Sequence, residues 1–331
     1  MLGHGGGGKL TSELLRQVIL PELHNPALDT LDDSAVLPAP PGELAFTTDS
    51  YVVDPLFFPG GNIGTLAACG TINDLAMQGA EPRFLSLALI IEEGLPIAEL
   101  RTVIRSLADA AAECGVAVVT GDTKVVEHGR GSGMFINTAG IGYRLPEVDV
   151  SVANARPGDV VILSGTIADH GMAVMSRREG LEFESEIRSD VAALWPMVHE
   201  LLQAVPEIHC LRDPTRGGVT AALCDLAARS HVSIRVNEKR LPITAPVDAA
   251  CRLLGLDPLN VANEGKALVV CPPEHGERAL AILRAHPLGR NAAVIGQVVG
   301  DDDPGQVTLR TMIGGERILM MPAGEDLPRI C

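Results

Sequence analysis

"DPTRGGVTAALCDLAARS", Asp213 to Ser230, reads as a helix whose start is marked twice. Asp213 suits the N-cap and Pro214 the first helical position, where a missing N–H costs nothing. Gly217 and Gly218 then leave backbone amides open at a helix N-terminus, which favours anions. Arg216 beside them can pair with a phosphate through two parallel hydrogen bonds. A plain capped helix, with glycines that only permit close packing, explains the same residues.

Outward from this stretch, the second half reads as alternating strands and helices. "DVVILSG" (159–165) is a strand and "ADHGMAVMSRREG" (168–180) a helix. "NEGKALVV" (263–270) sets Glu264 and Lys266 at the mouth of an apolar strand, and "NAAVIGQVV" and "GQVTLRT" close the series. His170, after the first strand, suits a structural role better than a catalytic one. Towards the N-terminus, "LPEVDVSVANARPGD" (145–159) is a Pro- and Asp-rich break, read as the boundary between domains 1–150 and 151–315. Before it come the β-rich "ELAFTTDSYVV" (43–53) and "NIGTLAACGTINDLAMQGA" (62–80), whose Leu66, Cys69, Ile72 and Ala76 share a helical stripe. A strand at 84–91, a helix at about 97–114, "GVAVVTGDTKVVE" as a strand running into a polar loop, and "GMFINTAGIGYR" complete the half. Periodicity fades after Gly315, so residues 316–331 read as a mobile tail ending in "PRIC".

The 331 residues are 46% hydrophobic but only 3% aromatic, so Ala, Val, Leu and Ile build the core; 35 glycines and 23 prolines imply many tight connections. A formal charge of −16 argues against nucleic-acid or anionic-membrane partners. It permits nucleotides if divalent cations bridge carboxylates to phosphates. The apolar run Phe84 to Ile91 is far short of the roughly 20 residues that span a bilayer. No signal peptide is legible, and seven cysteines without a CxxC pair fit reduced thiols in a cytoplasmic protein.

A run of aspartates carries the chemistry: Asp32 and Asp33, Asp49, Asp74 and Asp122. Asp49 and Asp122 each follow a hydrophobic strand, and Asp74 lies about 200° from Ile72, off the apolar stripe. Converging carboxylates repel unless a cation neutralises them, and Mg²⁺ takes one or two carboxylates plus phosphate oxygens. Several aspartates therefore suggest more than one metal around a triphosphate. Near the start, "GHGGGGK" (Gly3 to Lys9) matches a phosphate-loop spacing, but no strand precedes it and Leu10 stands where Ser or Thr would touch magnesium. A Gly-rich segment, 1–10, folding over a ligand is the reading kept.

"HGGGGK", "DDSAV", "TTDSYVV", "NDLAMQGA", "GDTKVV", "SGTIADHGM", "RDPTRGGV", "NEGK" and "PRIC", in this order and over nearly the whole chain, resemble the PurM-like, AIR synthetase-related ATP-binding superfamily. Within it they resemble the hydrogenase-maturation carbamoyl dehydratases, the HypE family. The resemblance implies an α+β fold: an N-terminal domain whose sheet pairs with a second protomer's to close a barrel, then an α/β C-terminal domain and a flexible tail. It implies ATP and Mg²⁺ in a cleft between domains or protomers. Nucleotide contacts would come from Asp49, Asn73, Asp74, Gly121, Asp122, Thr123, Arg216, Gly217 and Gly218; metal ligands would fall among Asp32, Asp33, Asp49, Asp74, Asp122 and Asp213. It assigns Cys331 as carrier of a carbamoyl group loaded by a partner carbamoyltransferase, and Glu264 and Lys124 as base and proton relay in its dehydration to a thiocyanate. The cyanide would pass to an iron-carrying maturation scaffold for the [NiFe] centre.

Three functions remain open on the residues. One is this dehydratase; another is a small-molecule kinase or synthetase of the same fold with Cys331 incidental. The third is a non-enzymatic carrier loaded by others, which leaves the aspartates unused. Selenophosphate synthetase activity is disfavoured, because no cysteine precedes Cys69. Sixteen residues from 316 reach at most about 55 Å, long enough to bring Cys331 into a cleft and out again.

Overall fold

The computed structural model describes residues 1–5, 9–31, 34–180, 187–300, 305–324, 327 and 329–331. The Gly-rich run at 6–8 and the pair Asp32 and Asp33 lie outside the described residues.

The chain opens with α1 (Lys9–Leu14), a π-type turn and α2 (Leu20–Leu23), followed by β1 (Leu44–Tyr51) and a small hairpin of β2 (Phe57–Phe58) and β3 (Gly61–Asn62). Next come α3 (Ile63–Met77), β4 (Ala80–Glu92), α4 (Ile97–Glu113), β5 (Ala117–Val126) and β6 (Met134–Arg144). Asn62 starts α3 by accepting the Gly64 and Thr65 amides on its side-chain oxygen at 2.8 and 3.3 Å. The helix is apolar on every side and buried on every side, with Asp74 one of two partly open residues. The expected single stripe is thus a fully packed central helix. Gly64 lets it approach α4 closely: a Cβ there would lie 2.1 Å from the Val103 carbonyl oxygen.

Strands β1, β6, β4 and β5 form a four-stranded sheet in that order, so β1 and β5 are its two edges. Helix α3 covers one face through β1, β6 and β4. Among the described residues the other face is partly exposed. Its cross-strand rows include Phe46, Ile141 and Phe84 side by side and Phe135 beside Ile90. Phe46 is 65% exposed. "GDTK" is no loop, contrary to expectation: Gly121–Lys124 continue β5 in parallel register with β4. Asp49 likewise sits inside β1, opposite Thr138 of β6.

The second half folds as β7 (Val160–Leu163), α5 (Asp169–Glu179), α6 (Trp195–Ala204), β8 (Cys210–Arg212), α7 (Gly218–Ser230), β9 (Ser233–Asn237) and α8 (Ala245–Leu254). Then follow β10 (Leu268–Cys271), α9 (Pro273–Ala285), β11 (Ala293–Val299), β12 (Val307–Arg310) and β13 (Glu316–Leu319). The seven strands order as β13-β12-β9-β11-β7-β10-β8. Helices alternate with strands as an α/β reading expects, yet the pairing is antiparallel except between β12 and β9. Period-two alternation buries both faces: Val161 and Leu163 of β7 pack with Leu223 and Leu226 of α7, while Ile162 joins the cluster that holds Met197 and Leu201 of α6. That cluster also contains Leu66 and Ile72 of α3, so one apolar core runs from the first sheet to the second.

Residues 316–319, expected to open a mobile tail, are the edge strand β13. The chain's last residues dock as well, with Ile330 only 3% exposed. No helix among the described residues is long and apolar enough to cross a membrane.

Candidate active site

Four sequence-distant pieces meet where the two sheets approach. β1 supplies Thr48, Asp49 and Tyr51; α3 supplies Gly70 and Asp74; the loop after β8 supplies Asp213, Thr215 and Arg216; the loop before β10 supplies Glu264. They line a cavity of about 260 Å³, and Cys331 lines it too.

The walls are acidic and underneutralised. Burial, then the Asp213 carboxylate, pushes Asp74 up to about 7, although the Thr47 hydroxyl donates to it at 2.8 Å. Burial also raises Asp213, against the pull of Arg212. Glu264 is held well above the usual carboxylate range by burial and then by Asp190, Asp213 and Asp49. Its Oε1 is buried with no hydrogen-bond partner. Arg216 approaches Asp49 at 3.7 Å and is the cation beside it. Behind the cavity a buried hydroxyl chain runs from Tyr51 through Thr71 to Thr138, at 3.2 and 2.5 Å.

The loops are fixed by side chains the sequence does not flag. Asn263 accepts the Ala168 amide at 2.8 Å and donates to the Pro214 carbonyl at 2.9 Å, tying three loops together. Asp190 accepts the amides of Glu264 and Gly265, each at 3.2 Å, and pairs with Lys266 at 3.1 Å. Lys266 and Asp190 side chains are only 10% and 3% exposed. Lys266 neutralises Asp190 so well that its carboxyl lies below the usual range in spite of burial.

Several expected residues act differently. Asn73 spends its amide on main chain: it accepts from Leu194 and donates to Ala192 and Glu264. Helix α7 begins at Gly218, so Asp213 is no N-cap and Pro214 no first helical residue. Gly217 and Gly218 have φ of +73° and +61°, which break the helix before it reaches Pro214. Gly218 also seats against the Leu259 carbonyl, 2.4 Å from where a Cβ would stand, and its amide donates to Thr215 rather than facing the cavity.

Asp122 and Lys124 are not in this cavity. β5 is the edge opposite β1, and the registers put Asp122 beside Ala88 on the partly exposed face and Asp49 beside Thr138 on the helical one. Asp122 pairs with Lys124 at 3.1 Å, both more than 60% exposed. Gly121 and Thr123 lie on the helical side there, lining with Leu15, Ile19 and Leu23 an apolar pocket of about 190 Å³. Thus Asp49, Asp74, Asp213, Arg216, Glu264 and Cys331 are brought together, and Gly121–Lys124 are not.

Among the described residues no group of three or more acidic, histidine or cysteine side chains is arranged as a metal cage. The donor chemistry still fits Mg²⁺, which needs one or two carboxylates when phosphate supplies the rest. The raised carboxyls of Asp74 and Asp213 and the orphaned oxygen of Glu264 are what such a cation would neutralise.

Known proteins give an independent comparison. Models of the AIR synthase related protein match residues 31–143 with the N-terminal domain and 156–307 with the C-terminal domain. Carbamoyl dehydratase HypE of Azotobacter vinelandii is 52% identical over 328 residues, covering 99% of this chain and 96% of that protein. The crystal structure of hydrogenase maturation protein HypE in complex with ATP superposes with a TM-score of 0.97 at 47% identity, covering 100% of this chain and 99% of that one. HypE in the HypE-HypF complex superposes with a TM-score of 0.82 at 46% identity, covering 95% and 100%. With half the residues identical across nearly the full length of both proteins, the chain belongs to the carbamoyl dehydratase HypE family.

Proposed function

We propose that this chain uses ATP to dehydrate a carbamoyl group carried on Cys331, giving a thiocyanate whose cyanide serves [NiFe]-hydrogenase maturation. One observation carries the reading: Cys331 lines the same cavity as Asp49, Asp74, Asp213, Arg216 and Glu264. A carrier loaded and emptied elsewhere has no use for that cavity.

An amide oxygen leaves poorly. Transfer of the γ-phosphoryl group of ATP to the carbamoyl oxygen, releasing ADP, converts it into phosphate, a good leaving group. The nitrogen gives up its two protons in turn, the C–O bond breaks as phosphate departs, and the C≡N bond forms on sulfur. Such phosphoryl transfer needs positioning and charge stabilisation more than covalent help. Arg216, on the cavity wall, would bind phosphate bidentately. Glu264, enclosed, with a buried oxygen unpaired and on the cavity wall, acts in its ionised form, taking the first nitrogen proton and passing it on before it takes the second. Asp49, Asp74 and Asp213 would hold Mg²⁺, which when bound offsets the negative charge of phosphates and carboxylates together.

Lys124 and Asp122 join the site from a second copy in this reading. The partly exposed sheet face with Phe46, Phe84, Ile90, Phe135 and Ile141 favours a partner sheet, and the β5 edge carries the lysine. HypF, which a relative binds, is the carbamoyltransferase in this scheme, and the cyanide passes to an iron-carrying scaffold complex.

The test is intact mass after carbamoylated protein meets Mg-ATP. Loss of one water with ADP formation is expected, and Cys331→Ala should abolish the modification while ATP still binds. ATP turnover with no mass change on Cys331 would overturn the reading.

A further inference from the structure

The last residues are gripped through their main chain. The Val52 amide donates to the Cys331 carbonyl at 3.4 Å and the Asp54 amide to the Arg329 carbonyl at 3.1 Å. The donor number rises by two as the acceptor number falls by two, the spacing of an antiparallel strand added just beyond β1. Arg178 bridges both partners: its Nε donates to the Asp54 carbonyl at 2.8 Å and its Nη2 to the Arg329 carbonyl at 2.5 Å. The carbonyl between, that of Ile330, accepts from His170 Nε2 at 3.0 Å. A carbonyl can only accept, so Nε2 carries the proton and Nδ1 accepts from the Ser189 hydroxyl at 2.8 Å. Burial lowers the His170 pKa and keeps this neutral form. Phe58 meets the ring edge-on, with centroids 5.3 Å apart.

We propose that His170 and Arg178 are positioning residues that set the register of Cys331 in the cavity, with buried Ile330 as the anchor. The proposal rests on the dehydratase reading of that cavity. All three final carbonyls have a donor, and the side chain that enters the core is the one immediately before the cysteine. A slip of one residue would exchange Ile330 for its neighbour in the core and carry the sulfur away from Glu264. The grip also shares a support with the catalytic loop. Ser189 orients His170, and Asp190, the next residue, holds the Glu264 and Gly265 amides. Thiol and base are thereby referenced to one short segment. The grip is made by main-chain carbonyls, the apolar Ile330 side chain and an Arg329–Asp54 ion pair at 3.7 Å, so a modified sulfur docks by the same contacts.

The test reads docking and chemistry separately on the full chain. Docking is followed by the rate at which iodoacetamide alkylates Cys331, measured by the mass of its peptide. His170→Ala and Ile330→Ala should each raise that rate about tenfold, as expected for a lost buried hydrogen bond or anchor. His170→Gln, which keeps an amide donor near Nε2, should stay near wild type. Ile330→Ala alters only the docked segment, so its result does not depend on refolding the body. ATP-driven water loss from carbamoylated Cys331 should slow in both alanine variants and recover in His170→Gln, with ATP affinity unchanged in all three. Unaltered alkylation in both alanine variants would overturn the proposal. If wild type binds ATP but loses no water, the dehydratase reading fails, while the alkylation contrast still decides the grip.

Discussion

At the β1 edge of the first sheet, aspartates are enclosed, crowded by one another and by Glu264, and short of positive charge. At the β5 edge, Asp122 stands in solvent with its own lysine at 3.1 Å and a carboxyl held below the usual range by that hydrogen bond. The two edges look alike in sequence, each an aspartate in a run of β-formers. They differ in what surrounds them, and only the first has unmet charge that calls for a cation. The second has already met its need within the chain, so any catalytic task for Lys124 requires something that pulls it from Asp122. A neighbouring subunit presenting phosphate oxygens would do so.

The largest effect comes from separating the edges into different chains. Lys124→Ala and Glu264→Gln should each be nearly inactive alone. Co-expressed so that mixed dimers form, they should recover about a quarter of wild-type activity, because one site per mixed dimer keeps both residues. No recovery would mean that both residues serve the same chain's site, and full activity of Lys124→Ala alone would make Lys124 a surface residue. Glu264→Gln by itself should slow water loss about 10²- to 10⁴-fold with ATP affinity retained, the cost of removing a positioned proton acceptor. A collapse of ATP affinity instead would make Glu264 a binding residue.

How much of this is legible in the sequence depends on the kind of contact. Asp213 reads as an N-cap and enters the site only through the family resemblance, whereas Asp49 and Asp74 stand out because a carboxylate in an apolar strand or off a helix stripe needs explaining. Asp122 stands out for the same reason, and nothing local reveals that the strand order β1-β6-β4-β5 puts it at the far edge. Asp213-Pro214 imitates a helix start, and the structure declines it because Gly217 and Gly218 take positive φ. His170 is legible as a structural histidine, but its partner, the Ile330 carbonyl 160 residues on, is not. Asn263 is silent because it binds main-chain groups, one of them 95 residues away, and Asp190 because its amide and Lys266 partners are distant in sequence. The final segment has the composition of a loose end, two prolines and a glycine among charges. It docks through carbonyls that every sequence possesses, which composition cannot show.

The two ion pairs sharpen the comparison on stability. Asp190→Asn strips the charge from the partner of buried Lys266 and leaves one oxygen to serve the Glu264 and Gly265 amides. An unpaired buried lysine should cost about 3–5 kcal/mol, read by urea unfolding. The pH dependence follows from the direction of the Asp190 shift. A carboxylate depressed in the fold binds protons less readily than in the unfolded chain, so its contribution is complete above the ordinary carboxylate range. It is lost as pH falls below that range, towards the folded value. Asp190→Asn should therefore flatten the acid limb of the stability profile, and an unchanged limb would show that other carboxylates set it.

Asp122→Asn gives the smallest change and the sharpest contrast. Its pair is solvated and screened, so stability should move by less than about 1 kcal/mol and less still at high salt. A larger loss would mean that the β5 edge is buried in the working protein, as a closed barrel of two sheets requires. Measuring the same variant across protein concentrations separates these cases: a penalty that grows as the protein is concentrated from monomer to dimer belongs to the interface, and one that stays constant belongs to the strand.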